Sequence, residues 1–418
     1  MSAPRARPAR AAARRRRSPA ASPRAPAAAR RRIRVAVVTG TRAEYGLLRS
    51  TLAALRASPR CELQLVVTGM HLLRRFGHTI DDIRRDGHPI AARIPMQRGD
   101  GSATDQAEGL ARGVAAIARF FERSRTERAV VLGDRIEALA AAFAAVATGR
   151  TLVHIHGGDV APGDFDDRLR AAITQLADLH LPATQAAARR VIAMGANRAR
   201  VHVVGAPGLD DVFQLRESLP RRRALAPRAA RARIARRAPL VPAPSRTALI
   251  IQHAHGRSDS TEQRVMRDLL RAVASRGLCR TIIFPNSDRG HRGVLRAIDA
   301  HLRESPAGEV DVHRSLPRER FLRALVDAEL LVGNSSCGLI EAPVVGTPSI
   351  NVGDRQRGRE PGGPGVFHAG ESYAAIAAAI DDALPGKRAR RCFRRGPYGR
   401  GGAGARIARW VLATLGRT

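Results

Sequence analysis

The chain has 418 residues, with 72 Lys or Arg against 37 Asp or Glu and a formal net charge of +35; a soft prior of roughly 100–200 residues per domain predicts two or three domains. No stretch of about eighteen apolar residues free of charge occurs, so no transmembrane helix is expected. A specific nucleic-acid role is not indicated either: residues 1–32 and 219–237 hold eleven and eight Arg with no acid, 19 of the 35 excess charges, aromatics are only 3%, and no helix-turn-helix, ribonucleoprotein or zinc-finger signature is present.

Residues 1–32 are Ala, Arg and Pro-rich, lack the apolar core of a signal peptide, and read as a disordered extension. From Ile33 onward, short β-branched runs alternate with Ala-rich amphipathic stretches. "IRVAVVTG", "LQLVVTG", "RAVVLG", "TLVHIHG", "LHLPAT" and "VHVVG" read as strands, and their continuous apolarity predicts a parallel sheet covered on both faces. After a basic, Pro-containing linker the same grammar restarts with "TALIIQHAHG", "RTIIFPNSD", "AELLVGNSS" and "PSINVG". The expected architecture is α/β, with two Rossmann-like doubly wound domains facing a cleft, of glycosyltransferase-B type. Boundaries are placed at 33–215, a basic linker at 216–245, a nucleotide-binding domain at 246–400 and a closing helix at 401–418. Cys61, Cys279, Cys337 and Cys392 show no paired spacing for zinc or a redox dithiol, which suits a reducing cytoplasm.

In a doubly wound sheet, ligands sit at the carboxyl ends of the strands, and these strand ends are polar. "TGTRAEYG" places Arg42 after the first strand, where a guanidinium and backbone donors can hold phosphate. "LGDRIEA" supplies Asp134, Arg135 and Glu137; Asp134 is the functional choice, while Glu137 reads equally well as a surface charge at a helix start. "HIHGGDVAPGDFDDRLRAAIT" concentrates His154, His156, Asp159, Asp164, Asp166 and Asp167. Metal ligation is disfavoured there, because no His pair has helical spacing. One of Asp166 and Asp167 is expected to cap a helix and the other to move protons. In the second unit His253, Asn286 and Asp288 follow strands. "GNSSCGLIE" offers Ser335 and Ser336 at an expected helix N-terminus, suited to a diphosphate, with Glu341 placed for a ribose diol. Together these features predict a nucleoside diphosphate sugar as ligand.

The stretches "VVTGTRAEYGLL", "LQLVVTGMHL", "GDRIEALAAA", "HIHGGD", "DDRLRAAITQLADLHLPAT", "VHVVGAPGLDD", "GNSSCGLIEAP" and "GDRQRGRE" resemble the hydrolysing UDP-N-acetylglucosamine 2-epimerases, in particular the bacterial sialic- and legionaminic-acid branch. The resemblance implies elimination of UDP across C1 and C2, hydration of the glycal, and release of N-acetylmannosamine, without nicotinamide or metal and with a homodimer as the working form. Matched by motif, Asp134, Asp166, Asp167 and His253 fall on catalytic positions, with His156 standing where many members carry a Glu. Arg42, Arg135, Asn286, Ser335, Ser336, Glu341 and Arg355 form the substrate-binding set. Further departures are Ala254 after His253, and Gly396 and Arg400 in the "GPYGRG" turn. The same chemistry on a UDP-2,4-diacetamido-2,4,6-trideoxy-hexose is the near alternative. A glycosyltransferase-B transferase would leave the clustered Asp residues idle, and a non-catalytic UDP-sugar sensor would exchange no hydrogen at C2.

Overall fold

The computed structural model describes residues 31–98, 102–160, 166–218, 246–286, 288–384 and 396–414. The compact unit begins at Arg32, whose guanidinium donates to the Cys61 carbonyl. The extension expected to be disordered, most of the basic linker, and Asp164 and Cys392 lie outside the described residues.

Residues up to 218 build a sheet from β1 (Ile33–Thr39), β2 (Cys61–Thr68), β3 (Ile90–Ile94), β4 (Arg128–Leu132), β5 (Thr151–Ile155) and β6 (Leu179–Leu181). Residues from 246 build a second from β7 (Thr247–Ile251), β8 (Cys279–Ile283), β9 (Val310–His313), β10 (Leu330–Gly333), β11 (Ser349–Val352) and β12 (Val366–Ala369). Each is fully parallel, in the orders β3-β2-β1-β4-β5-β6 and β12-β11-β10-β7-β8-β9. These are the same doubly wound order, and each reverses once, between β1 and β4 and between β7 and β10.

Strand alternation explains why the central runs are continuously apolar. Val35 and Val37 of β1 enter one core layer with Leu48, Leu52 and Leu55 of the helix Arg42–Ala57. Ala36 and Val38 enter the opposite layer, with Ile117 and Phe121 and the Ala-rich face of the helix Ile136–Ala147. In the second sheet Ala248 and Ile250 face one layer, while Leu249 and Ile251 face the other. Each large aliphatic side chain buried in these layers contributes about 1.5–3 kcal/mol over leaving it in water.

The helix Ala403–Val411 returns to the first sheet, burying Ile407 and Val411 in the layer of Leu48 and Leu52. Asp210 caps it, its carboxylate accepting from the amides of Ala403 (2.9 Å) and Gly404 (2.8 Å). Two expectations are corrected. "VHVVG" forms no strand and makes a single bridge, Val201 to His180. The helix expected after "GNSS" is two four-residue turns, Cys337–Ile340 and Ala342–Val345, broken at Glu341. Among the described residues no helix is long and apolar enough to cross a membrane.

Candidate active site

The two reversals of strand order place four loops at the carboxyl edges of the sheets: residues 40–42 and 133–135 from the first, 252–255 and 334–336 from the second. Ligand crevices of doubly wound sheets open at such points. Thr41 caps its helix, accepting from the Glu44 amide, while the Glu44 carboxyl turns back to accept from the Gly40 amide at 3.0 Å. Glu137 then packs directly over this loop. A Cβ at Gly40 would lie 2.4 Å from Glu137 Cγ, and one at Gly69 2.4 Å from Glu137 Oε1. Glycine is required at both positions by this close approach.

Arg170 organises the acidic side. It projects, 3% exposed, from the helix Asp166–Leu176, and its guanidinium donates to Asp134 and to Asp167 as well as to the Asp159 carbonyl at 2.8 Å. Asp166, one residue earlier, pairs instead with Arg355 of the second half at 3.6 Å. Burial, reinforced by the nearby Asp288, raises the Asp166 carboxyl above its ordinary range. Asp288 behaves oppositely: burial opposes its ionisation, but Arg135 and Arg355 hold it below the usual carboxylate range. Arg135 donates to Asp288 across the crevice at 2.6 Å. Of these two carboxyls, Asp166 is therefore the more readily protonated.

The two histidines of "HIHGGD" have separate tasks. His154, on β5, donates from Nε2 to the Gly133 carbonyl at 2.8 Å, fixing the loop after β4, and burial lowers its pKa to about 4. His156 lies just beyond the strand with φ of 63°. Its Nδ1 bonds Asp159 at 3.0 Å, and Nε2 is buried with no hydrogen-bond partner among the described residues. Burial works against the Asp159 charge, yet the bond to His156 and the proximity of Arg359, at 3.5 Å, keep it ionised below its normal range.

In the second half Asn334 clamps the His253 backbone, accepting from its amide and donating to its carbonyl, both at 2.8 Å. His253 Nδ1 accepts from the Asn286 amide at 3.1 Å, which places the ring proton on Nε2. Burial depresses the pKa of His253 to about 3, so the ring is a neutral donor. Asn286 thus acts on His253 through its backbone.

The short turns after Ser336 sum few peptide dipoles, so an anion at Ser335 and Ser336 relies on their hydroxyls and amides rather than on a helix field. Glu341 is 4% exposed and held by Arg318, which also donates to the Gly208 carbonyl at 2.7 Å. Arg42 is not gathered with the rest: it pairs with Asp82 of its own half at 2.7 Å.

A family model described as UDP-N-acetylglucosamine 2-epimerase matches residues 53–412. The chain belongs to that family. It is 31% identical over 372 residues, 86% of this chain and 94% of the relative, to the UDP-N,N'-diacetylbacillosamine 2-epimerase (hydrolyzing) of Legionella pneumophila. Identity to the UDP-N-acetylglucosamine 2-epimerase of Neisseria meningitidis serogroup B is 30%, covering 84% of this chain and 87% of that one. The crystal structure of UDP-GlcNAc 2-epimerase from Neisseria meningitidis bound to UDP-GlcNAc superposes with a TM-score of 0.73 at 16% identity, over 91% of this chain and all of that one. A Methanocaldococcus jannaschii UDP-GlcNAc 2-epimerase in complex with UDP-GlcNAc and UDP gives 0.71 at 17%, over 90% and 99%. The fold is thus the twin Rossmann-like, glycosyltransferase-B type of these epimerases.

Within this epimerase-family chain, reasoning from sequence named Asp159 and Asp288 without assigning them a role, and did not select Arg170, Asn334 or Arg359. A signal existed for two of them: Arg170 falls three residues after Asp167, on the same helix face, and Asp159 lies three residues after His156.

Proposed function

We propose that the chain is a hydrolysing UDP-N-acetylglucosamine 2-epimerase that releases N-acetylmannosamine and UDP for nonulosonic-acid biosynthesis. The observation that carries this reading is the gathering of Asp134 and Asp167 on one buried guanidinium, Arg170, beside Asp166 and its partner Arg355 from the opposite half. A reaction that moves protons at a sugar carbon while expelling a diphosphate needs carboxyl groups and cations at one crevice.

In the proposed reaction the C2 proton is removed, its bonding pair forms the C1=C2 bond, and the C1–O pair leaves with UDP. Water then adds its oxygen to C1, and C2 receives a proton on the opposite face. Asp134, His156, Asp166, Asp167 and His253 are the proposed catalytic residues. Asp166 suits proton donation to C2, and the His253 Nε2–H suits donation to the departing diphosphate. Arg135, Arg355, Ser335, Ser336, Asn286 and Glu341 are the proposed binding set. Arg42, engaged by Asp82, is left out of it.

A second reading is the same chemistry on a UDP-2,4-diacetamido-2,4,6-trideoxy-hexose. It is supported by the hydrolysing diacetylbacillosamine epimerase of Legionella pneumophila, 94% of whose length is matched. Incubating the purified chain in deuterium oxide with each nucleotide sugar, followed by NMR of the products, tests both. Free 2-epimer deuterated at C2, together with UDP, is expected; a UDP-linked epimer refutes hydrolysis, and no turnover of either sugar without an added acceptor refutes the reading.

A further inference from the structure

His156 is one of three non-glycine residues with a positive φ among the described residues. Its φ of 63° lies in the left-handed region, which is strained for a residue with a Cβ and persists where surrounding structure enforces it. Gly157 and Gly158 follow; the first is tightly surrounded, and the second leaves no room for a side chain, since a Cβ there would lie 2.3 Å from the Ala187 carbonyl oxygen. The turn is therefore confined on the C-terminal side of the imidazole.

The geometry points to His156 and Asp159 as a catalytic dyad, with Asp159 the positioning residue that keeps the imidazole proton on Nδ1 and His156 Nε2 the base that takes the C2 proton of the nucleotide sugar. This rests on the 2-epimerase reading and names the group that does the work usually expected of a carboxylate at this position. Ionised Asp159 has no proton to give, so the 3.0 Å contact requires Nδ1–H as donor. Nε2 then presents a bare lone pair, and it is buried with no hydrogen-bond partner among the described residues. Burying such an acceptor is costly unless a ligand uses it. His253 shows the contrast, since the Asn286 amide forces its proton onto Nε2. The two imidazoles are thus held in opposite tautomers, one a base and the other a donor.

Three guanidinium groups surround the dyad. Arg170 donates to the Asp159 carbonyl, Arg190 donates to the Gly158 carbonyl at 2.9 Å, and Arg359 reaches the Asp159 carboxylate from the other half. His154 stands behind on β5, and the Tyr398 phenol lies within the field of Asp159. With three guanidinium groups this close, an imidazolium needs the Asp159 charge, as the base of a hydrolytic triad needs its carboxylate. The protons balance as follows. Nε2 takes the C2 proton as UDP departs, Asp166 gives its proton to the opposite face of C2 and regains one from the water that adds to C1, and the imidazolium loses its proton to solvent.

The test compares wild type, His156→Gln, His156→Glu, Asp159→Asn and Asp159→Glu by kcat, KM and pH profile, on whichever nucleotide sugar the wild type turns over. Nitrogen-15 histidine NMR of the wild type and Asp159→Asn is recorded alongside. His156→Gln is expected to lose roughly 100–10,000-fold in kcat. Asp159→Asn is expected to lose at least tenfold in kcat with little change in KM, and to shed the Nδ1–H signature, while Asp159→Glu recovers part of the loss. His156→Glu is expected to retain turnover with its acidic limb moved to lower pH. An active wild type matched within threefold by His156→Gln overturns the dyad, as does a wild-type spectrum with the proton on Nε2. If the wild type turns over no UDP-sugar, the 2-epimerase reading fails instead, and the tautomer alone still decides the Asp159 contact.

Discussion

Asp134 and Asp167 share one guanidinium, so the effect of changing either depends on what Arg170 does next. Asp134→Asn keeps the side-chain shape and an acceptor for Arg170 but removes a charge from the crevice. Its kcat is expected to fall by roughly 100–10,000-fold, with UDP binding nearly intact by calorimetry. Removing Arg170 itself is a different experiment, because it leaves two carboxylates facing each other without their cation, and stability suffers along with rate. Glu341 presents the converse case. It neutralises the buried Arg318, so Glu341→Ala is expected to weaken UDP binding and also to lower Tm, whereas Glu341→Gln retains an acceptor and recovers most of the Tm. Equal Tm values for the two variants would show that the Arg318 contact contributes nothing to folding.

The elements that sequence made legible are those buried on both faces. β1, β4, β7 and β10 are continuous apolar runs because each alternates between two core layers, and the polar residues that end them mark the crevice. The edge strands β3, β9 and β12 escaped notice because one face is wetted: "IAARI" exposes Ala91 and Arg93, and "VDVH" alternates Val with Asp and His. "VHVVG" failed in the opposite sense. It runs beside β6, with the His202 and Val204 amides donating to His180 and Pro182 carbonyls, but Pro182 has no N–H to return and the ladder cannot continue. The candidate site divides in the same way. Strand-end residues such as Asp134 and His253 were visible, whereas the reach of Arg170 to Asp134 and the diversion of Arg42 to Asp82 depend on which helix packs where, which no local pattern encodes. One consequence belongs to this scale: Gly40 exists to admit Glu137. Gly40→Ala must displace that side chain, and overpacking of this kind costs about 1–3 kcal/mol. Since Glu137 pairs with Arg135 at 3.8 Å, the Tm loss of Gly40→Ala should be accompanied by weaker nucleotide-sugar binding; an unchanged Tm would mean that Glu137 moves freely.

Across the whole molecule the two halves meet in two chemically different ways. Tyr398 is buried in an apolar cluster with Ala206, Leu209, Leu322 and Val344, drawn from both halves, while its hydroxyl donates to the Glu360 carbonyl at 2.6 Å and its carbonyl accepts from the Ala206 amide at 2.9 Å. On the crevice side the links are charge pairs, Arg135 with Asp288, Arg355 with Asp166 and Arg359 with Asp159. An apolar seam holds irrespective of ligand, and charge pairs can be exchanged for a diphosphate, so the arrangement suits opening about the Tyr398 side. The same buried polar groups set how stability responds to acid. His71, His154 and His253 are held neutral by burial, with pKa values lowered to about 3, 4 and 3. In the unfolded chain they would protonate near pH 6.5, so the unfolded state binds more protons below that pH and stability falls as pH drops from about 6.5 toward the folded values. Glu44 opposes them: burial raises it to about 8, the folded state binds the extra proton, and stability on its account rises as pH falls from about 8 to its unfolded value. Three histidines outweigh one glutamate below about pH 6.5. Thermal unfolding is therefore expected to show a Tm several degrees lower at pH 5 than at pH 7, with a steeper fall in Glu44→Gln, from which the opposing contribution is gone. A variant curve parallel to wild type would mean that Glu44 is already ionised in the folded protein.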